Sequence, residues 1–387
     1  MPERGNTKRL LFLINDARFF VTHILPLARA AVTAGYDTHV ALPFQGAALD
    51  MTDELAAIRG CGAQLHDLPI SRGGMAWLGE LAALLAIGRL VVRLRPDILH
   101  CITIKPVLYG GLVARLLRLR RVIFFITGLG HVFIAHGAKA RVLRRLVMLA
   151  YRMILRCRRG ITIFENEDDR ALFVDANLVQ PDQTVLIPGC GVDSAVFYPA
   201  SLPPPEPLVV MLPARLQNEK GVREFVAAAQ CLHERGTEVR MVLVGYADFE
   251  RPGGIGEAEL RGWCESGAVE WWGHSTTMPD TLRQAHIVCL PSYREGFSKT
   301  LIEAAATGLP IITSDVPGCR DAVRAGDTAV LVPPADAPAL ASAIEQLLCA
   351  PDRRASMGIR GRDLAVKEYS VARFVSANLA LYARPTA

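Results

Sequence analysis

The sequence predicts an α/β protein made of two doubly wound parallel-sheet domains, and three observations carry that expectation. Short runs apolar at every position alternate with stretches of helical periodicity, as strands covered on both faces require. The length of 387 residues suits two domains at roughly 100–200 residues each. Residues 199–207 hold five prolines in nine positions, which neither a helix nor a central strand accepts. The expected plan is a domain over 1–198, a linker over 199–207 and a domain over 208–387, its last helix packing back on the first domain.

The elements follow in chain order. In the first half, Arg9–Ile14, Asp37–Leu42, Ile98–Cys101, Val122–Ile126 and Gly160–Phe164 read as strands, with helices over Phe20–Ala34 and Met75–Leu94. In the second, Leu208–Leu212, Glu238–Val244, Val269–Trp272, Ile287–Leu290 and Ile311–Thr313 read as strands, with helices over Gly221–Arg235 and Asp336–Leu348. Ligands of such sheets bind beyond the carboxyl ends of the strands. The cleft between two facing domains is therefore the expected site.

Composition narrows the class. A hydrophobic fraction of 51% with 21% charged residues excludes wholesale disorder. No run reaches the ~18 apolar residues of a membrane span, and Leu10–Ile14 is too short for a secretory core. A cytoplasmic protein is the expectation. Nine cysteines, scattered and without a CxxC pair, read as buried thiols rather than a disulfide framework or zinc site. Residues 1–190 carry 24 Lys+Arg against 15 Asp+Glu, a balance of +9; residues 191–387 carry 19 against 23, a balance of −4. The basic half is expected to face an anionic surface.

Two segments of the second half carry chemistry. A strand ends at Pro291, a loop with Glu295, Gly296 and Phe297 follows, and a helix starts near Ser298 and stops at Gly308. Strand, Gly loop and helix start form a geometry that binds phosphate through free N–H groups and the helix dipole. Glu295 and Glu303 flank it, where they can hold hydroxyls of a sugar and a ribose or be plain loop and helix charges. The loop after Leu212 presents Arg215 and Lys220. Two such cations neutralise a diphosphate without a metal, unless the loop is only solvated.

Together, the Glu-x7-Glu after Pro291-Ser292 and the Arg-x4-Lys-Gly in the same half resemble retaining glycosyltransferases of family 4, which have the GT-B fold. Gly245, Trp272 and Gly273 fall where that family places nucleotide-binding turns, and residues 188–199 resemble the stretch closing its N-terminal domain. The resemblance implies that Arg215 and Lys220 contact the donor diphosphate, Glu303 the ribose, and Glu295, Gly296 and Phe297 the donor sugar. Thr300 and Leu301 would offer backbone N–H groups. The configuration of the anomeric carbon is kept, and no metal or other cofactor is required. Ser298 stands where proline is common.

In the first half, a Gly-rich turn after Ile126 carries His131, a position where the family places a donor-contacting histidine. A dinucleotide fingerprint fails there because Phe133 replaces its third glycine. Segments 13–23, 100–110 and 164–169 resemble a subgroup that adds N-acetylgalactosamine to an undecaprenyl-diphosphate-linked sugar. By that resemblance Asn15, His23, Lys105, Tyr109 and Asn166 are acceptor-side candidates. Lys105 would meet the lipid diphosphate and Tyr109 the acceptor sugar; Asn166 would shape a loop, with the acids after it at a helix start. Asn15-Asp-Ala-Arg18 replaces the Gly-Gly loop other members carry.

Arginines at 141, 144, 145, 152, 156, 158 and 159 interleave with apolar residues at helical spacing. Such a helix suits an anionic membrane surface, or packs on its own sheet with its arginines in water. Nucleic acid is not expected, because no stacking aromatics are interleaved. The expectation is a UDP-sugar donor, an N-acetylhexosamine, a polyprenyl-diphosphate-linked acceptor and a peripheral place on the inner membrane face. Other donors within the family, a nucleotide-sugar epimerase or phosphorylase, and a non-catalytic membrane-binding module are the alternatives.

Overall fold

The structure, a computed structural model, describes residues 7–44, 51–70, 77–129, 138–157, 159–201, 206–247, 249 and 253–384. The chain divides into two compact units. One is Met1–Cys190 with Phe374–Ala387, the other Gly191–Arg373.

The first unit holds strands β1 (Arg9–Leu13), β2 (Asp37–Leu42), β3 (Gln64–Asp67), β4 (Ile98–Ile102), β5 (Val122–Ile126), β6 (Gly160–Phe164) and β7 (Thr184–Leu186). They form one parallel sheet in the order β3-β2-β1-β4-β5-β6-β7. Its helices are α1 (Ala17–Phe19), α2 (Leu25–Thr33), α3 (Thr52–Gly60), α4 (Trp77–Leu94), α5 (Ile104–Leu116), α6 (Ala138–Leu155) and α7 (Glu167–Asp175). A π turn, Phe20–Ile24, joins α1 to α2. The central strands β4 and β5 are buried at every position. One core lies on each sheet face, around Phe12 and Phe125 on one side and Phe124 and Phe164 on the other.

The second unit holds β8 (Val209–Pro213), β9 (Arg240–Val244), β10 (Glu270–Trp271), β11 (Ile287–Leu290), β12 (Ile311–Ser314) and β13 (Ala329–Val332). These are parallel in the order β10-β9-β8-β11-β12-β13. Its helices are α8 (Val222–Glu234), α9 (Glu257–Glu265), α10 (Met278–Leu282), α11 (Lys299–Ala306), α12 (Ala337–Leu348) and α13 (Pro351–Glu368).

The last helix, α14 (Val371–Ala383), returns to the first unit. Phe374, Leu381 and Tyr382 enter the core around Phe12, and the Tyr382 hydroxyl lies 2.7 Å from His100 Nδ1. Buried Arg121 donates to the carbonyl oxygens of Leu381 and Tyr382 at 3.2 and 2.6 Å, closing the helix end as a basic side chain can.

Three strands went unread in the sequence. Gln64–Asp67 has one strongly apolar residue and lies at a sheet edge; Thr184–Leu186 is three residues long and also at an edge. Ala329–Val332 is apolar throughout and was readable by the criterion applied to its neighbours. The chain leaves the first unit at Cys190, ahead of the prolines rather than at them.

Candidate active site

In the second unit the strand order reverses beside β8, so the loops after β8 and β11 border the crevice where such sheets bind ligands. Gly221 lets them meet. Its φ is +71°, and a Cβ there would stand 2.1 Å from the Pro291 carbonyl oxygen. This close approach places Lys220 against Glu295. The ammonium donates to both carboxylate oxygens, at 2.6 and 2.8 Å, with the two side chains 17% and 14% exposed. The buried Ser292 hydroxyl donates to the same carboxylate at 2.7 Å. The Glu295 N–H donates to Pro317 O at 3.1 Å, and the Ser298 N–H to Gly318 O at 3.0 Å. The loop carrying the acid is thus fixed at both ends.

Beyond that loop α11 begins at Lys299, and the Ser298 hydroxyl makes no capping bond. The N–H groups of Thr300 and Leu301 stand in this first turn without a side-chain cap, at the positive end of the helix dipole. The side chains of Phe297 and Leu301 are buried in the core, so these residues have only their backbones to offer a ligand. Glu303 stands in the second turn with Lys299 at 3.5 Å. Burial pushes its carboxyl above the usual range, against the pull of Lys299. Arg215 is exposed and makes no ion pair among the described residues, so its guanidinium is open to an anion. Under the loop lies buried Cys319, its thiol pushed up to about 12 by burial, with the Glu295 charge adding to it.

Gly245 follows β9 with φ +154°, and a Cβ would meet Ala214 O at 1.8 Å. Its N–H donates to Gly273 O at 2.8 Å. The Trp271 indole N–H donates to Gly245 O at 3.2 Å, so this ring reaches the turn. The sequence singled out Trp272 instead. The structure turns its indole N–H to Glu270, at 2.9 Å, with Arg240 over the ring. Arg240 begins β9, and Glu270 lies in the two-residue β10, level with Val242 in the middle of β9.

The first unit has its own reversal, between β1 and β4. There Thr103 donates from its hydroxyl to Asn15 Oδ1 at 2.7 Å. Thr103 has φ 72° and ψ 167°, a region that β-branched residues avoid. Lys105 donates to Glu80 Oε1 at 2.7 Å and the Tyr109 hydroxyl to Oε2 at 2.5 Å. Burial alone would raise Glu80, but these two bonds hold it below its usual range. His23, in the π turn, stacks on Phe19 at 4.0 Å. Asn166 caps α7 by accepting the Asp169 N–H at 2.8 Å. His131 lies outside the described residues.

Residues 207–350 match the family described as glycosyl transferases group 1, and residues 9–157 match glycosyl transferase 4-like. The chain belongs to these glycosyltransferase families. It is similar to the N,N'-diacetylbacillosaminyl-diphospho-undecaprenol alpha-1,3-N-acetylgalactosaminyltransferase of Campylobacter jejuni, 26% identical over 74% of this chain and 79% of that protein. It is also similar to the putative glycosyltransferase EpsD of Bacillus subtilis, 27% identical over 97% and 96%. Among solved structures, sucrose-phosphate synthase of Thermosynechococcus elongatus has a TM-score of 0.77 at 21% identity, covering 97% of this chain and 98% of that one. HepE of Anabaena, in complex with UDP and glucose, has 0.76 at 16%, covering 97% and 99%. At these identities the likeness shows the fold alone, which is GT-B.

In this glycosyltransferase, four residues beside the candidates escaped the sequence: Ser292, Trp271, Glu80 and Thr103. Ser292 was legible, three residues before Glu295. Glu80 and Thr103 were not, because their roles rest on a contact across 25 positions and on a backbone angle.

One sheet face of the glycosyltransferase's first unit is covered by α4, α5 and α6 side by side, with α5 in the middle. Their outer surface exposes Leu78, Leu81, Leu85 and Val92 on α4, Leu112 and Leu116 on α5, and Val142, Leu146, Leu149 and Met153 on α6. At helical spacing each set forms one row. Exposed Arg141, Arg145 and Arg152 flank the row on α6. The helix ends at Leu155, short of the 159 read from the arginines. Among the described residues no helix is long and apolar enough to cross a membrane.

Proposed function

We propose that the protein is a retaining hexosyltransferase. It moves an N-acetylhexosamine from a UDP-sugar to a polyprenyl-diphosphate-linked saccharide at an anionic membrane face, in the assembly of a surface polysaccharide. The observation that carries the reading is the Lys220–Glu295 pair at the strand reversal, beside the uncapped start of α11. Cations, free N–H groups and a fixed carboxylate there suit a nucleotide diphosphate joined to a sugar. The activity of the Campylobacter relative supports the sugar and the lipid carrier.

The donor diphosphate takes Lys220 from Glu295, together with Arg215 and the N–H groups of Thr300 and Leu301. Glu295, held by Ser292, then accepts from a hydroxyl of the donor sugar. Glu303 receives the ribose, and Gly245 leaves room for the nucleotide at the end of β9, beside the Trp271 ring. The acceptor hydroxyl attacks the anomeric carbon on the face from which the diphosphate departs. Its proton passes to the leaving phosphate oxygen, and the configuration is kept. Charge on the leaving group is neutralised by Arg215 and Lys220, with no metal. The apolar rows and arginines of α4, α5 and α6 seat the first unit on the membrane that holds the acceptor.

The test offers UDP-GalNAc, UDP-GlcNAc, UDP-Gal, UDP-Glc and GDP-mannose to the purified protein, with and without undecaprenyl-diphosphate-linked HexNAc and with a chelator. UDP release that needs one UDP-HexNAc and the lipid, and survives chelation, is the expected result. Release with GDP-mannose alone, or its loss on chelation, overturns the donor or the metal-free step.

A further inference from the structure

The three-helix layer ends in a groove of about 360 Å³, where Val92, Arg95 and Asp97 from the end of α4 face Leu117, Arg118 and Arg120 after α5. All three arginines are exposed, and none forms an ion pair among the described residues. The one lining carboxylate, Asp97, already accepts the Arg9 backbone N–H at 2.8 Å. An adjoining groove of about 330 Å³ shares Asp97 and Arg120 and adds Lys8, Arg121 and Arg384. The floor is thus cationic well beyond its single acid.

Two of these arginines occupy unusual backbone. Helices commonly end with a residue in the left-handed conformation, usually glycine. Among the described residues Gly35, Gly62, Gly236, Gly267 and Gly308 do so after α2, α3, α8, α9 and α11, and Asn177 after α7. At the two helices that border the groove the position is Arg95, with φ 49°, and Arg118, with φ 53°. The chain accepts the strain of a side chain there, and both side chains reach the groove.

The groove's other wall is apolar and wet. Val92 is 54% exposed and Leu117 42%. Val92 also belongs to the exposed row of α4, so the groove opens at the end of the apolar surface. A free phosphate has no use for that wall. A lipid with an anionic head uses both parts, and basic pockets beside apolar helices suit such heads.

We infer that this groove holds the phosphate headgroup of an anionic phospholipid, while the apolar rows of α4, α5 and α6 lie in the acyl region beside it. The inference rests on the membrane seating proposed above and fixes one lipid class at one place.

The test titrates monomeric dioctanoyl-phosphatidylglycerol into the full chain by calorimetry. Saturable one-to-one binding is expected. In the double variant Arg95→Gly/Arg118→Gly the Kd rises about thirtyfold, roughly fivefold per arginine, while Tm holds or rises because glycine fits both positions. The charge-matched Arg141→Ser/Arg145→Ser binds the short lipid as the wild type does. Several results overturn the inference: no saturable binding, equal loss in both double variants, equal binding of dioctanoyl-phosphatidylcholine, or displacement by inorganic phosphate as effective as by the lipid. The last would make it a free-anion site. UDP release, read on the same variants without membranes, separates the two proposals. Lost lipid binding with intact release touches the groove alone, and absent release with intact lipid binding touches the transferase reading alone.

Discussion

Both sheets reverse their strand order beside their first strand, yet the two crevices are finished in opposite ways. In the second unit the crevice is charged: Lys220 and Glu295 face each other, with Arg215 open nearby. In the first the joining contact itself is neutral, a hydroxyl–amide bond between Thr103 and Asn15, with the Lys105–Glu80 ion pair beside it. The same topology therefore supplies a place, and the loop residues decide what the place can hold. A charged crevice suits a diphosphate whose leaving charge must be neutralised. A neutral contact suits a hydroxyl-bearing acceptor.

The largest effect that would break this comparison lies in the charged crevice. Glu295→Gln and Lys220→Gln each lower kcat by about 10²–10³-fold, the range for losing one group aimed at transition-state charge. Either change leaves its former partner half-buried without its counter-charge, so Tm falls slightly while the fold holds. Ser292→Ala follows in the same direction with a smaller loss, about tenfold, because the carboxylate keeps Lys220. Steady-state UDP release with circular dichroism melts on the same samples is the measurement. Normal turnover with Glu295→Gln would remove the functional contrast between the crevices.

The next effect concerns what holds the first unit together. Burial depresses His100 from 6.5 to about 3, and its ring lies against Tyr382 of the returning helix α14. A histidine depressed in the folded state contributes stability above its unfolded value, and that stability is lost as pH falls. The first unit thus weakens from pH 6.5 down toward pH 3, by about 1.4 kcal/mol per pH unit at most. His100→Phe flattens that slope. Hydrogen exchange of α14 against pH reads it, and an unchanged slope in the variant would show that another group governs the acid response.

The contrast also explains how far the sequence could be read. Ten of the thirteen strands among the described residues and both candidate segments stand in residue types and spacing: apolar runs for β8 and β11, and Arg215, Lys220, Glu295 and Glu303 in the segments after them. In the charged crevice chemistry is written in the side chains themselves. In the first unit's crevice it is written in geometry. Nothing in Thr103 announces a φ of 72°, and nothing in Glu80 announces that Lys105 and Tyr109 both converge on it. Trp271 and Trp272 are told apart only by geometry: Trp271 ends β10 and its indole N–H reaches Gly245 O, while Trp272 follows the strand and donates to Glu270.

The smallest effect sharpens the comparison most. Thr103 holds a conformation that is nearly reserved for glycine and costs about 1–3 kcal/mol in other residues. Its hydroxyl bond to Asn15 returns roughly 1 kcal/mol. Thr103→Val keeps the strain and loses the bond, and leaves Asn15 Oδ1 without this donor, so it destabilises by about 1 kcal/mol or more. Thr103→Gly loses the same bond but sheds the strain, offset by the flexibility glycine adds to the unfolded chain. Glycine is therefore the more stable of the two, the reverse of the usual order for a residue next to a strand. Urea melts of the two variants decide it. If both also lower transfer to the lipid acceptor while UDP-sugar hydrolysis is unchanged, the strain serves the position of Asn15 on the acceptor side. If transfer is unaffected, the Thr103–Asn15 contact is only a structural joint, and the acceptor is held elsewhere in the unit.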